Sequence, residues 1–184
     1  MTNEIASVDD VCEILQPQFP QFRRIFQSAL DKYLKTPPEV RLDHDRRTIG
    51  SCMHSHIVAS FPSVFEGVRG AEIVDINGLN IVVIRKRFAC HFKMVDRYGN
   101  ASFHHTKQQE AFASDNLQLP GIERAPVAIR IGYLLDEAVT KIQHMLIVKP
   151  NGNRNEWRAM VSMDDVPGWT DITEQRVFKW TDAA

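Results

Sequence analysis

The spacing of apolar residues changes near residues 67–70, and this change restricts the possible folds more than any other feature of the chain. Before it, apolar residues recur every three or four positions, the spacing of one face of a helix. After it, short runs rich in Val, Ile and Phe are separated by turn residues, as in β-strands. Because these runs follow one another without long helices between them, the sequence predicts an α+β fold, with N-terminal helices packed on an antiparallel sheet of about five strands.

Three helices are predicted in the first third of the chain. Ser7, with acidic residues close behind it, is expected to cap the first helix, which ends near Leu15 before two prolines. An amphipathic pattern predicts the second helix over residues 21–35. The third covers about residues 43–60 and is expected to end before Pro62, because a proline disfavours a helical residue in front of it.

The remainder of the chain is predicted to form the sheet. Asn77-Gly78 lies between two apolar runs and predicts a tight hairpin turn, because both central residues of a type I′ turn need positive φ. A short helix is expected over residues 106–114. The predicted strands cover residues 71–76, residues 79–95 as one long strand or two collinear ones, and residues 127–135, 141–149 and 156–163.

The length of 184 residues favours one compact unit. Within it we expect a helical subdomain over residues 1–66 and a sheet subdomain with a short helix over residues 67–184. The C-terminal tail is rich in aromatic side chains and is therefore expected to dock on this unit through Trp169, Phe178 and Trp180.

Composition limits the function classes. Hydrophobic residues make up 43% and charged residues 24%, as in ordinary soluble domains, and the formal net charge of −1 does not by itself predict nucleic-acid binding. No apolar run approaches the roughly 20 residues of a membrane span, and the acidic N-terminus does not resemble a signal peptide. The three cysteines are far apart, which indicates a reducing compartment, so we expect a cytoplasmic protein without a membrane association.

Residues 42–57, LDHDRRTIGSCMHSHI, combine histidines, aspartates, arginines and a cysteine, as metal sites often do. On a helix, however, Cys52 and His56 share the apolar face and form only a pair, whereas a zinc site needs at least three protein ligands. We therefore expect a core helix with a charged first turn, and neither a metal nor a cofactor. The residues that this helix would leave free for a partner are Asp43, His44, Arg47 and His54.

The segment from Ile84 to Asp96 has the most informative charge pattern. In a strand, alternate side chains face opposite ways, so one face of this segment would be apolar and pack on the helices. The other face would be basic and open to solvent, neutralised either by acids on nearby strands, such as Asp75 and Glu156, or by an external anion. The residues predicted to form a binding face are Arg85, Arg87, His91 and Lys93, extended by Arg130 and Arg158 on other strands.

The sequence contains no phosphate-binding loop, zinc-protease motif or serine-hydrolase motif. We therefore predict a non-catalytic accessory protein that binds another macromolecule, with a protein partner preferred. An antitoxin-like or immunity-like partner of a bacterial or phage effector would be one setting for such a role.

Two alternatives remain open at this stage. A small metal-independent ribonuclease, or another phosphate-handling enzyme, would use His91 with the basic side chains and with His104 or His105 to move a proton. A nucleic-acid-binding module would use the same basic strand and would stack bases on aromatic side chains. The candidates for stacking are Tyr98, Phe103, Tyr133 and Trp157.

Overall fold

The computed structural model describes residues 6–102, 106–164 and 168–175. Within these ranges the chain forms N-terminal helices and a seven-stranded, mostly antiparallel sheet, which confirms the predicted α+β fold class. The sheet has seven strands rather than about five. The difference arises because the segment predicted as one long strand is two paired strands, and because a further short strand follows residue 168.

Five α-helices lie in the described part of the chain. The Ser7 hydroxyl caps the first by accepting a hydrogen bond from the Asp10 N–H at 3.2 Å, and the Thr106 hydroxyl caps the last in the same way. A single 3₁₀ turn connects the first two helices. The helices are α1 (Val8–Leu15), α2 (Phe19–Leu34), α3 (Pro38–Arg41), α4 (Arg46–Phe65) and α5 (Lys107–Ala113).

Three helix boundaries differ clearly from the prediction, two of them near a proline, and the single-turn helix α3 was not predicted. Helix α2 begins two residues earlier than expected, because Pro20 occupies the first turn, where no backbone N–H is needed. Helix α4 begins after Asp45, whose carboxylate accepts the Thr48 N–H at 2.7 Å. It continues past Pro62, and its last turn stays helical because Phe61 and Phe65 are buried in the core.

The strands lie in the sheet in the same order as in the chain. All neighbours are antiparallel except β3 and β4, which are parallel and are therefore joined by a long crossover over residues 95–126 that contains α5. The strands are β1 (Ala71–Ile76), β2 (Leu79–Ile84), β3 (Phe88–Met94), β4 (Val127–Leu135), β5 (Ile142–Asn151), β6 (Arg154–Val161) and β7 (Trp169–Asp171).

The turns explain where the strand prediction was right and where it was wrong. Asn77 and Gly78 form the predicted hairpin turn between β1 and β2, with φ of 50° and 90°. The prediction of one strand or two collinear strands over residues 79–95 was wrong. The chain reverses at Arg85 and Lys86, with φ of 52° and 53°, so that β2 and β3 are antiparallel neighbours. Positive φ is uncommon for these residue types, and the sequence therefore carries no turn signal there.

The helices pack on one face of the sheet through an aromatic cluster. Phe22 and Phe26 of α2 and Phe61 and Phe65 of α4 surround Phe92 of β3, with ring centroids 5.2–6.4 Å from that of Phe92. The apolar side of β3 thus faces the helices, as its alternation predicted. These side chains supply the largest apolar surfaces of the core that joins helices and sheet.

The opposite face of the sheet is not open, contrary to the prediction. Phe112 of α5, with Leu117 and Leu119 of the following loop, packs on β2, β3 and β4. Ile172, directly after β7, covers the part of the sheet near Leu146. The alternation along β3 correctly separated its two sides, but it contains no information about which other segment covers the second side.

The N-terminal and C-terminal segments both contact the sheet. The Trp157 indole N–H of β6 donates to the backbone oxygen of Ala6 at 2.8 Å, and Trp169 lies in β7 opposite Val161. The other aromatic residues of the tail, Phe178 and Trp180, lie outside the described residues. Helices and sheet share one hydrophobic core. The division into two subdomains at residue 66 stays a prediction.

Among the described residues, no helix combines the length and the apolar character that crossing a lipid bilayer requires.

Candidate anion-binding groove

Three of the six predicted binding residues lie together in the structure. His91 and Lys93 are on β3, and Arg130 of β4 is the parallel partner of His91. Because alternate residues of a strand share a face, all three side chains lie on the side away from the aromatic core. His91 is 5% exposed and Arg130 is 8% exposed, while Lys93 is half-buried. The cluster is therefore a partly covered group of basic side chains and not an open face.

The other three predicted residues lie elsewhere. Arg85 and Arg87 are exposed at the β2–β3 turn, at the opposite end of β3 from Lys93, and the Arg87 guanidinium lies over the Phe88 ring. Arg158 has a structural role. Its guanidinium donates to the backbone oxygens of Tyr98 at 2.8 Å and of residues 172, 173 and 175, which fastens the segment after β7 to the sheet.

A groove of about 800 Å³ runs along β3 beside the basic cluster. Its walls are α4, the second half of β3, residues 96–102 and Gln109 of α5. We call this cavity the basic groove, because three of its lining side chains are cationic. Its charged and titratable lining residues are Arg46, Arg47, His54, Lys93, Asp96 and Tyr133.

The groove exists because β2 is paired with only the first part of β3. The last register pair is Val82 with Cys90, and beyond it α4 lies alongside β3 in place of a strand. Gly50 lies at this contact, where an added Cβ atom would be 3.1 Å from the terminal methyl of Met94. The site thus depends on a close contact between a helix and a strand far apart in sequence.

Two histidines of the groove region contact each other. The His54 ring, on α4, meets the His91 ring edge to face with centroids 6.2 Å apart, and Phe112 packs on the other side of His91 at 5.4 Å. Burial, and then the charge of Lys93, lower the pKa of His54. Burial, and then the charges of Lys93, His54 and Arg130, lower the pKa of His91 well below its usual value. Both rings are therefore neutral at pH 7, and the side chain of His54 lines the groove.

Lys93 and Arg130 are cations removed from water without an ion-pair partner among the described residues. Burial, and then Arg130, lower the pKa of Lys93. Burial lowers the pKa of Arg130 to about 10, although the charge of Asp96 acts in the opposite direction. Lys149 of the neighbouring strand β5 shows the usual arrangement, because its buried ammonium pairs with the Asp115 carboxylate at 2.7 Å. Two buried cations that only Asp96 offsets repel each other and destabilise the unliganded fold, and an anion in the groove would reduce their repulsion.

The two acids predicted to neutralise this cluster are engaged elsewhere, and Asp96 offsets only part of its charge. The Asp75 carboxylate accepts the Gly78 N–H at 2.7 Å, and the Glu156 carboxylate accepts the Asn151 amide at 2.8 Å, so each stabilises its own hairpin. Asp96 is the one acid among the described residues that line the groove, and it accepts two backbone N–H groups of its own turn. The predicted internal neutralisation by Asp75 and Glu156 is therefore not found.

A short chain of hydrogen bonds connects the buried arginine to the rim of the groove. The Arg130 guanidinium donates to the side-chain oxygen of Asn155 at 3.3 Å, and the Asn155 amide donates to that of Asn100 at 3.1 Å. Asn100 lines the groove. Arg130 is thus held at a fixed place behind the groove wall, where it contributes charge but makes no ion pair.

The remaining candidates separate into core, surface and undescribed residues. Tyr133 and Trp157 are buried, whereas Tyr98 is 39% exposed and remains available for stacking. His104, His105 and Phe103 lie outside the described residues. Within residues 6–102, 106–164 and 168–175, no group of three or more His, Cys, Asp or Glu side chains is arranged to hold a metal ion.

Sequence patterns identified Arg47 and His54 as residues of the polar side of a helix, but not as neighbours of β3. Arg46, which also lines the groove and donates to the Val95 backbone oxygen at 3.1 Å, was not singled out. Its position in a charged first turn is also typical of solvated residues. The polar side of α4 was the one available signal, and it does not say which strand that side meets.

Comparison with known proteins found no matching family model, no similar curated protein and no similar solved structure. The function is therefore inferred from the geometry and the charge of the groove alone.

Proposed function

We propose that this protein is a binding protein that holds a phosphate-bearing ligand in the basic groove. The observation that supports this proposal is the pair Lys93 and Arg130, two partly or fully buried cations on adjacent strands. They form no ion pair among the described residues, and Asp96 is the one acid whose charge acts on Arg130. An anion in the groove would contact Lys93, which lines it, and would offset the charge of Arg130 behind the wall. The cations of α4 add further positive charge at the opposite wall.

A phosphate group fits this arrangement better than a single carboxylate. It has several oxygens and more than one negative charge, so it can contact cations from two walls at the same time. Arg46 and Arg47 supply planar groups with several donors, and Lys93 supplies a compact charge. The proton-transfer role required of His91 in a ribonuclease is less well supported, because Phe112 and His54 cover its ring.

Calorimetric titration of the full chain with pyrophosphate at low salt tests the proposal. We expect binding that weakens as the salt concentration rises, because salt screens exposed charges. Lys93→Gln should lower the affinity at least tenfold. The same substitution should leave the free energy of unfolding of the unliganded protein unchanged or higher, because it removes repulsion with Arg130.

Lys32→Gln is the matched control, since Lys32 is an exposed lysine of α2 that is remote in sequence and does not line the groove. It should bind pyrophosphate as tightly as the unmodified protein. The proposal is overturned if pyrophosphate does not bind, or if Lys93→Gln and Lys32→Gln bind it equally well.

The edge strand β1 favours a second candidate function, the recognition of a protein partner. Strand β1 pairs only with β2, and Ile73 is 43% exposed on it. Residues 76 and 79 flank the two-residue turn and form a hydrogen-bonded pair. Hydrogen-bonded and non-hydrogen-bonded pairs alternate along an antiparallel ladder, so Ile73 belongs to a non-hydrogen-bonded pair. Its backbone N–H therefore points away from β2. An extended segment of a partner, such as the effector of an antitoxin-like protein, could add a strand there.

Affinity purification from the native host tests this second candidate with Ile73→Pro. Proline removes an N–H that β2 does not use, so the fold should be retained while the added strand loses a hydrogen bond. A partner recovered with the unmodified chain and lost with Ile73→Pro would support the candidate. Equal recovery with both chains, or recovery of the chain alone, would count against it.

A further inference from the structure

A second cavity, of about 380 Å³, opens beside the basic groove. The two cavities share Arg46, Met94 and Asp96 as lining residues, so they are directly adjacent. Each volume lies in or near the range of small-molecule sites, about 300–1,000 Å³. We call the second one the apolar cavity, because most of its floor is hydrocarbon. Its apolar lining residues are Ile49, Met94, Leu134, Leu135 and Val139.

The rim of the apolar cavity carries an exposed aromatic ring and acceptor groups. Tyr98 lines the cavity, and the Arg97 guanidinium lies over its ring at 5.2 Å. Asp96 and Glu137 supply carboxylate oxygens at the same rim. Glu137, which lines only this cavity, disfavours a second phosphate here, and both carboxylates can accept hydrogen bonds from amino and hydroxyl groups.

Backbone strain occurs at the wall of the same cavity. Val139 has a φ of 56°, which a β-branched residue rarely adopts. The loop is held in this form by Asp136, whose carboxylate accepts the N–H groups of Thr140 and Lys141 and the Thr140 hydroxyl. Strain of this kind persists where the surroundings fix it, and it occurs preferentially at ligand sites.

We propose that the ligand is a nucleotide, with its phosphate in the basic groove and its base in the apolar cavity against Tyr98. This assignment rests on the proposed phosphate-binding function and adds the chemical class of the ligand. A nucleotide matches the pair of cavities because it joins an anion to a flat aromatic group with polar edges. Every aromatic base can stack on a tyrosine ring, and its amino groups or the ribose hydroxyls can donate to Asp96 or Glu137.

Titration of the full chain with AMP, GMP, CMP and UMP, each compared with ribose 5-phosphate, tests the assignment. Ribose 5-phosphate carries the sugar and the phosphate but no base. We expect at least one nucleotide to bind about tenfold more tightly than ribose 5-phosphate. Tyr98→Ala should remove this difference and leave the affinity for ribose 5-phosphate unchanged, whereas Tyr98→Phe should retain the difference.

A 5′-phosphorylated four-nucleotide strand distinguishes a free nucleotide from the end of a nucleic-acid chain. Tighter binding of the strand than of any mononucleotide assigns the site to a chain end, and weaker binding assigns it to the free nucleotide. If ribose 5-phosphate binds in a Lys93-dependent way but no nucleotide binds more tightly, the base site is overturned and the phosphate site stands. The base site is also overturned if Tyr98→Ala leaves the preference for a nucleotide intact. If neither pyrophosphate nor any of these compounds binds, both proposals are overturned.

Discussion

His91 is a residue at which burial and charge act in the same direction. It is 5% exposed, and the groups that face it are His54 from α4, Lys93 from its own strand, Arg130 from β4 and Phe112 from α5. None of these groups is an acid, so nothing among them stabilises an imidazolium. The protein therefore holds His91 neutral, and protonation must act against the fold.

This environment predicts that stability decreases in mild acid. The unfolded chain has an ordinary histidine pKa near 6.5, whereas the pKa of folded His91 is lower, so below about pH 6.5 the unfolded state binds the extra proton. The contribution of neutral His91 to the free energy of unfolding is thus fully present above about pH 6.5 and is lost as the pH falls below that value. Between pH 7.5 and 5.5 the free energy of unfolding should fall by about 1 kcal/mol more in the unmodified protein than in His91→Gln. Urea unfolding at both pH values measures this, and an equal fall in the two proteins would contradict it.

At the scale of elements, local signals in the sequence were sufficient where a short-range interaction fixes the structure. The Ser7 hydroxyl, the Asn77-Gly78 turn and the alternation along β3 each act within a few residues, and each was predicted. The covering of the second face could not be predicted in this way, because it depends on the crossover after β3 folding back over the sheet. His91, Lys93 and Arg130 were named together as candidate binding residues and lie in one cluster, but the approach of α4 to this cluster was not predicted.

The β2–β3 turn gives a prediction at this scale. Arg85 and Lys86 both have positive φ, which costs roughly 1–2 kcal/mol for most L-residues and little for Asn and Gly. The double substitution Arg85→Asn with Lys86→Gly should therefore raise the free energy of unfolding by about 0.5–1 kcal/mol in urea unfolding. Arg85→Ala with Lys86→Ala removes the same charges without the turn preference and should not stabilise the protein. A similar gain in both double variants would show that charge, and not backbone conformation, controls this turn.

At the scale of the whole molecule, helices and sheet are expected to unfold together. Phe92 touches phenylalanines from two helices, and Trp157 of β6 bonds to the backbone of Ala6. Phe92→Ala should lower the free energy of unfolding by about 3–5 kcal/mol.

Tryptophan fluorescence, which reports mainly on the sheet, and far-UV circular dichroism, which reports mainly on the helices, should give coincident transitions. Separate transitions, or a fragment of residues 67–184 that folds alone, would instead support two independent subdomains.

The parallel pairing of β3 with β4 has a consequence for the order of folding. Strands β1–β3 and β4–β7 are each joined by short antiparallel connections, so either group can form early from local contacts. Joining the two groups requires closure of the long loop over residues 95–126, which is entropically slower. Lys93 belongs to the first group and Arg130 to the second. If the two groups form separately, the repulsion between these cations arises only when β3 pairs with β4, and an anion bound beside them would favour that pairing.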